Sequence, residues 1–216
     1  MKIPRRSSLQ VLAAAVFAPL SFLPKLSLAQ IVKLKATPQD VEGPYYPTTW
    51  NGEVDNDLTT LNGKKYTGGI PMTLRGRVRG DSGEILKDAR VEIWQIDDVG
   101  EYRHPGFGGE KPAQRGFQGY GWMQTDDGGQ YTFQTIKPIG YSGRPPHVHF
   151  KVIAPGYITL ITEMYFAGEN AEGSLYQRLF GGFSRERDLL SISPNRLSLG
   201  KAETLDAVFD IVLARL

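Results

Sequence analysis

Short runs of alternating apolar and polar residues recur from residue 72 to the end of the chain, separated by turn-forming residues. Because successive side chains of a β-strand point to opposite faces, this alternation predicts half-buried strands. Many short strands, close turns and little helical periodicity are typical of an all-β protein, here an antiparallel β-sandwich. The predicted strands are 72–79, 90–96, 121–124, 131–136, 147–153, 160–166 and 207–213.

The remaining segments add little regular structure to this prediction. Residues 30–70 contain Pro38, Pro44 and Pro47, which favour an irregular N-terminal arm packed over the sandwich. Few short helices are expected, around 174–179 and 184–190. No repeat or linker divides the chain, so 30–216 are expected to form a single domain.

The first 29 residues differ from the rest of the chain. Lys2, Arg5 and Arg6 precede an apolar run at 11–23 and a small-residue site at 26–29. This order predicts a secretory signal peptide over 1–29, too short for a stable membrane span. The Arg5-Arg6 pair favours the twin-arginine type, with an ordinary export signal as the alternative. We therefore expect an exported protein, periplasmic or secreted, without a membrane span in its mature form.

Charge and cysteine content narrow the classes of partner and site. The formal net charge falls from +2 to −2 without 1–29, because four of the 25 basic residues and none of the 23 acidic residues lie there. A mature chain near neutrality gives no electrostatic reason to expect nucleic acid as a partner. The chain has no cysteine, so disulfides and thiolate metal sites are excluded and any metal must be held by nitrogen and oxygen.

Two of the three histidines lie one residue apart in a predicted strand. On that strand His147 and His149 share one face, whereas Val148 and Phe150 share the other. The histidines are therefore either two ligands of one metal ion or polar residues on a solvated face. Further ligands would have to come from His104, carboxylates or tyrosines.

Several ordered segments together identify a family. They are EGPYY from Glu42, LRGRV from Leu74, VEIWQ from Val91, GEYRH from Gly100, QTDDGGQYTFQTIKP from Gln124, RPPHVHF from Arg144, LITEMYF from Leu160 and FDIVL from Phe209. In this order they resemble the intradiol ring-cleavage dioxygenases, of the protocatechuate 3,4-dioxygenase and catechol 1,2-dioxygenase type.

The resemblance implies a site and a reaction. It implies a non-haem Fe(III) ion bound by Tyr102, Tyr141, His147 and His149, with Tyr102 and His147 equatorial and the other two axial. A catechol-type substrate would be cleaved by O2 between its hydroxyl-bearing carbons, giving a muconate-type diacid. Two phenolates are hard anionic donors that suit ferric iron. Tyr141 would accept a proton as it leaves the metal, and Arg144 would face the substrate ring as a fixed cation.

The chain departs from the protocatechuate enzymes at two positions. Only two residues separate Tyr141 from Arg144, where those enzymes have a longer loop. Glu163 stands where they have a glutamine, and an extra carboxylate would repel a carboxylated substrate unless it points away or is paired. Glu163, Arg144 and Tyr45 are the predicted substrate-binding residues, and which catechol is the substrate stays open.

Further hypotheses concern the site's surroundings. The glycine-rich stretch 105–121 is a flexible loop by default, and we expect it to line or cover the site because it follows Tyr102. His104 is expected beside the ligands or at the surface. A non-catalytic extracellular β-sandwich binding module that retains the metal site is the alternative function. A three-histidine copper or Fe(II) site using His104 would leave the tyrosines unexplained, and a homo-oligomer of undefined order is compatible with the arm.

Overall fold

The structure, a computed structural model, describes residues 33–47, 52–169, 186–199 and 202–216. The predicted signal peptide and the predicted helix at 174–179 lie outside the described residues. One short α-helix, α1 (Lys111–Arg115), and a 3₁₀ helix (Arg187–Leu190) are seen in the described ranges, and the latter falls within the predicted 184–190 segment. The strands are β1 (Thr60–Leu61), β2 (Lys64–Lys65), β3 (Pro71–Gly80), β4 (Arg90–Trp94), β5 (Tyr120–Gln124), β6 (Gln130–Ile136), β7 (His147–Ile153), β8 (Leu160–Phe166), β9 (Ser191–Ile192), β10 (Asn195–Leu199), β11 (Ala202–Val208) and β12 (Ile211–Leu213).

Two five-stranded sheets confirm the predicted β-sandwich. In the first sheet, β6 pairs antiparallel along one edge of β3, and β11 then β12 pair parallel along the other, with β10 outside β11. The second sheet has the order β5-β4-β7-β8-β9 and is antiparallel except for the short β8–β9 pair. Antiparallel pairing therefore dominates, and parallel pairs occur where C-terminal segments join each sheet.

The predicted strand 207–213 is divided in two. Phe209 and Asp210 interrupt it, and the Asp210 carboxylate accepts a hydrogen bond from the backbone N–H of Arg77 at 2.9 Å. A Cβ on Gly76 would lie 2.0 Å from the carbonyl oxygen of Phe209, so glycine is required for this close approach. Residues 195–199 and 202–206, not predicted as strand, form β10 and the first part of β11.

The core lies between the two sheets. The alternating apolar residues Leu74 and Val78 of β3 meet Ile93 of β4 and Val148 and Phe150 of β7, and all five are fully buried. Burying a side chain of this size contributes on the order of 2 kcal/mol before conformational entropy is subtracted. One face of β7 is therefore committed to the core, which leaves its histidine face directed away from it.

The N-terminal arm covers that second face. Its backbone donates hydrogen bonds from Thr37 to Val212 and from Asp40 to Ile161, each at 2.9 Å, so it crosses both sheets. Residues 33–47 are irregular as predicted, whereas 52–70 also include the small β1–β2 hairpin. Tyr46 packs edge-on against Trp94 with 5.0 Å between ring centroids. The arm thus buries the outer face of the second sheet.

Candidate metal centre and active site

A row of three side chains crosses the outer face of the second sheet. Trp94 of β4 lies opposite His149 of β7, which lies opposite Glu163 of β8. The Trp94 and His149 rings are stacked, with centroids 4.8 Å apart and planes 6° apart. His147 and His149 are 2% and 1% exposed, so the interpretation as polar residues on a solvated face is wrong.

Both imidazoles direct Nε2 to one point. Nδ1 of His147 lies 2.7 Å from the carbonyl oxygen of Pro145, which places its proton on Nδ1 and leaves the Nε2 lone pair available. His147 Nε2 lies 3.5 Å, and His149 Nε2 3.0 Å, from the hydroxyl oxygen of Tyr102. The two strand histidines and this tyrosine therefore converge although no two are adjacent in sequence.

The loop after β4 positions Tyr102. The Asp97 carboxylate accepts the backbone N–H of Val99 at 3.1 Å and of Glu101 at 3.0 Å, which closes a tight turn. Arg115, at the end of α1, contacts the carboxylates of both Asp97 and Glu101. Helix α1 therefore anchors the segment that carries Tyr102 into the buried interior.

A two-residue turn positions Tyr141 and Arg144. The backbone N–H of Arg144 donates to Tyr141 at 2.8 Å, and that of Tyr141 donates back at 3.2 Å. Ser142 and Gly143 have φ of 47° and 77°, the left-handed values of a type I′ turn. Residues that flank such a turn project their side chains to the same face, so Tyr141 and Arg144 both face the histidines. The Tyr141 hydroxyl donates to the Tyr102 oxygen at 3.3 Å.

Burial sets the ionisation of these groups. It lowers the pKa of His149 to about 3, with His147 and Arg144 acting in the same direction, so the imidazole is neutral near pH 7. Burial also raises the pKa of Tyr102 and of Tyr141, so both are neutral phenols without a bound cation. A metal ion bound by Tyr102 and Tyr141 as phenolates would displace the hydroxyl protons of both residues.

Arg144 and Glu163 form a buried ion pair. Nη2 of Arg144 donates to both carboxylate oxygens, at 2.6 Å to Oε1, and the Tyr165 hydroxyl donates to Oε2. Burial alone would raise the pKa of Glu163, but the adjacent His149, His147 and Arg144 lower it to about 2. The predicted substrate-binding residue Glu163 is thus a paired carboxylate, 0% exposed.

The residues present fit a trivalent cation. His147, His149 and Glu163 place ligand atoms within 4.8 Å of one another, but Glu163 lies on the Nδ1 side of His149, with Oε1 3.2 Å from Nδ1 and not aligned as a hydrogen bond. Glu163 therefore stands behind His149, on the side away from the Tyr102 oxygen, and is outside the donor set. On the Nε2 side stand the two tyrosine oxygens, which complete a four-donor set of two imidazoles and two phenols.

Aromatic rings border the donor set. Tyr45 of the arm packs against Tyr102 and Phe107, with centroids 4.8 Å and 5.2 Å away, and Phe107 lies 5.9 Å from Tyr141. Tyr45 and the start of the 105–121 stretch therefore lie at the site. Phe117, from the same stretch, is instead in the main core against Tyr66.

His104 stays outside the donor set. Its Nδ1 accepts the backbone N–H of Gly106 at 3.1 Å, and its ring meets Tyr45 edge-on at 5.6 Å. A three-histidine centre is therefore not assembled by the described residues.

Sequence reasoning missed three supporting residues. Trp94 stacks on His149, the Tyr165 hydroxyl donates to Glu163 and lies 3.1 Å from Asp40, and a Cβ on Gly43 would lie 3.2 Å from His149 Cε1. Alternation within the strands places Trp94 on the face of Glu92 and Tyr165 on the face of Glu163, but it does not give the strand pairing that brings either to a histidine.

Known proteins resemble the chain over most of its length. A family model described as Dioxygenase (Dioxygenase_C) matches residues 41–214. The protocatechuate 3,4-dioxygenase beta chain of Burkholderia cepacia is 32% identical over 197 residues, covering 85% of this chain and 81% of that one. Catechol 1,2-dioxygenase 2 of Acinetobacter lwoffii is 31% identical over 151 residues, covering 62% of this chain and 52% of the relative, so this chain spans about half of its length.

Solved structures share the fold. The dioxygenase domain of a dioxygenase carbohydrate-binding protein fusion from Streptomyces sp. SirexAA-E has a TM-score of 0.60 and 29% identity, covering 84% of this chain and 100% of that chain. Catechol 1,2-dioxygenase from Acinetobacter sp. ADP1 has a TM-score of 0.65 and 25% identity, covering 84% of this chain and 63% of that chain. The similarity therefore extends over both sheets and the segments that carry the tyrosines and histidines.

Proposed function

Since the chain belongs to the intradiol ring-cleaving dioxygenase family, we propose that it is a non-haem Fe(III) enzyme that opens the ring of a catechol-type substrate with O2. Cleavage between the two hydroxyl-bearing carbons would give a muconate-type diacid. The observation that carries the proposal is the convergence of four donors: three of them lie within 3.5 Å of the Tyr102 oxygen.

Tyr102, Tyr141, His147 and His149 would hold the iron. Two phenolates and two neutral imidazoles match the preference of ferric iron for hard oxygen and nitrogen donors. When bound, a ferric ion would supply Lewis-acid chemistry that activates the diol toward O2. The stacked ring of Trp94 fixes the plane of His149.

Tyr141 is suited to take a proton from the diol. Its side chain is half-buried, whereas Tyr102 is 2% exposed, so Tyr141 stands on the accessible side of the donor set. Burial raises the pKa of Tyr141, and a phenolate of high basicity readily accepts a proton when it leaves a cation. The side chain of Arg144 donates a hydrogen bond to the Tyr141 hydroxyl. Its positive charge would stabilise negative charge that develops on the substrate ring.

The surroundings suit a flat aromatic ligand. The rings of Tyr45, Phe107 and Tyr141 provide apolar faces next to the donor set. The arm residues that bring Tyr45 there also shield the site from water, which strengthens the interactions of fixed charges.

Oxygen-isotope incorporation tests the proposed reaction. The iron-loaded protein, supplied with ¹⁸O2 and a panel of catechol, 3,4-dihydroxybenzoate, hydroxyquinol and chlorinated catechols, is expected to yield a ring-opened diacid carrying both labelled atoms. An absence of O2 uptake on the whole panel, or a semialdehyde from cleavage outside the diol, would contradict the proposal.

Export and assembly complete the proposal. We propose that residues 1–29 direct the folded, iron-loaded chain across the inner membrane through the twin-arginine pathway; no helix among the described residues is long and apolar enough to cross a membrane. Replacing Arg5 and Arg6 by lysine should hold the protein in the cytoplasm, and unchanged export would favour the general pathway.

Sedimentation of the mature protein would show whether it forms a homo-oligomer.

A further inference from the structure

Glu163 occupies a position where its charge acts directly on the active site. It stands in the middle of β8, next to His149 across the strand pair, and is 0% exposed. Its partner Arg144 is 8% exposed and reaches it through one terminal nitrogen that contacts both carboxylate oxygens. A carboxylate so enclosed cannot turn to solvent.

The ion pair also limits the positive charge that Arg144 presents to a ligand. Nη2 of Arg144 contacts both carboxylate oxygens of Glu163, and Oε1 of Glu163 lies 3.2 Å from Nδ1 of His149, so a cation and an anion stand side by side next to the donor set. Because Glu163 offsets part of the charge of Arg144, a full carboxylate charge placed beside the pair gains less from Arg144 than it would from a guanidinium without an ionic partner. A carboxylate on an incoming ring would lose its hydration and meet a guanidinium that already has a partner.

We propose that Glu163 is a specificity-determining residue that, by engaging Arg144, makes the site select uncharged catechols over catechols bearing a ring carboxylate. The inference rests on the proposed function and concerns the substrate of that same site. Glu163 also positions Arg144, because its second oxygen accepts the hydroxyl proton of Tyr165, and Oδ2 of Asp40 in the arm lies 3.1 Å from that hydroxyl oxygen. Glu163 is therefore fixed in place, and it holds the guanidinium of Arg144 through both carboxylate oxygens.

A pair of ligands that differ only in charge tests the wild-type site. Anaerobic calorimetric titration of the iron-loaded protein with 3,4-dihydroxybenzamide and with 3,4-dihydroxybenzoate compares ligands of equal size. We expect the amide to bind at least about ten-fold more tightly, since the carboxylate gains no free cation. Equal or tighter binding of the carboxylate would overturn the proposal without recourse to any variant.

Substitutions assign the selectivity to Glu163. Glu163→Gln keeps the shape and one acceptor for Arg144 but removes the opposing charge, so it should shift the ratio of the two dissociation constants toward the carboxylate by about ten-fold or more. Glu163→Asp retains the charge and should retain the wild-type preference. Glu92→Gln is the matched control, because Glu92 is a buried carboxylate on the same sheet face that pairs with Arg90 away from the donor set, and it should leave the ratio within about two-fold.

The outcomes separate the two proposals. A folded, iron-containing Glu163→Gln protein with an unchanged ratio would overturn the role of Glu163 while ring cleavage by the wild type stands. If wild type, Glu163→Gln and Glu92→Gln all fail to take up O2 on any catechol, the proposed function itself falls. A shift of the ratio of the two kcat/KM values in the same direction as the ratio of the dissociation constants, with visible absorption of the iron centre retained, would support the assignment.

Discussion

The hydroxyl oxygen of Tyr102 lies 3.0 Å from Nε2 of His149, although 47 positions separate the two residues. The contact joins a loop anchored by Asp97 to the central strand of the second sheet. Because the other face of β7 packs in the core, the strand cannot shift to separate His149 from Tyr102 without disturbing core packing. The fold therefore brings the four donors together from separate parts of the chain.

Removing the central hydroxyl should abolish metal retention. Tyr102→Phe deletes the oxygen to which the other three donors point, so we expect iron affinity to fall by at least about 100-fold, measured by competition with a chelator. Tyr131→Phe is the control, since the Tyr131 hydroxyl is equally buried but donates to the carbonyl oxygen of Phe209 in the core. The control should lose about 1 kcal/mol of unfolding free energy and keep its iron; equal iron affinity in both variants would contradict the assignment.

Substitution of Gly43 should disturb His149 by steric contact, in addition to straining its own backbone. Gly43→Ala and Gly63→Ala place a Cβ at φ of +72° and +74°, and each should cost about 1 kcal/mol of stability. Only the first meets a neighbour, His149 Cε1 at 3.2 Å, whereas Gly63 has nothing within 4 Å. We expect Gly43→Ala alone to weaken iron binding and slow turnover. A similar loss of activity in both variants would show that arm stability and not contact is responsible.

Two phenylalanines of the 105–121 stretch should have different roles. Phe107→Ala removes a ring beside Tyr45 and Tyr141, so KM for the catechol should rise by about ten-fold with little change in melting temperature. Phe117→Ala opens a cavity in the main core and should cost about 3–5 kcal/mol in urea unfolding. Unchanged kinetics in a folded Phe107→Ala protein would remove this stretch from the substrate pocket.

The Arg144–Glu163 pair should make stability depend on acid pH. The pKa of Glu163 is lowered from 4.5 to about 2 in the folded protein, so its ionisation stabilises the fold above pH 4.5, and this contribution is lost as the pH falls toward 2. The difference in unfolding free energy between wild type and Glu163→Gln should therefore be largest near pH 7 and shrink below pH 4.5. A difference that stays constant down to pH 3 would show that the charge does not contribute.

The fold could be predicted from the sequence because strand alternation is local. The strand of His147 and His149 was predicted with its observed bounds, whereas 207–213 was not, since the break at Phe209 comes from a close approach to Gly76 in a distant strand. The short helix α1 escaped prediction because Pro112 and the surrounding glycines obscure any periodicity.

The candidate site was predictable as a set of residues but not as a geometry. Family resemblance pointed to both tyrosines and both histidines, and the two-residue link between Tyr141 and Arg144 already suited a tight turn. The pairing of Glu163 with Arg144 depends on the register of β7 with β8, which alternation alone leaves undefined. Sequence could therefore name Glu163 as an extra carboxylate, but only the structure shows which charge it opposes.

The visible spectrum of the purified, iron-loaded protein tests the central claim most directly. If Tyr102 and Tyr141 bind ferric iron, charge transfer from phenolate to metal should colour the protein red-brown, and anaerobic addition of a catechol should shift the band. An iron-loaded protein that remains colourless would contradict the four-donor ferric site.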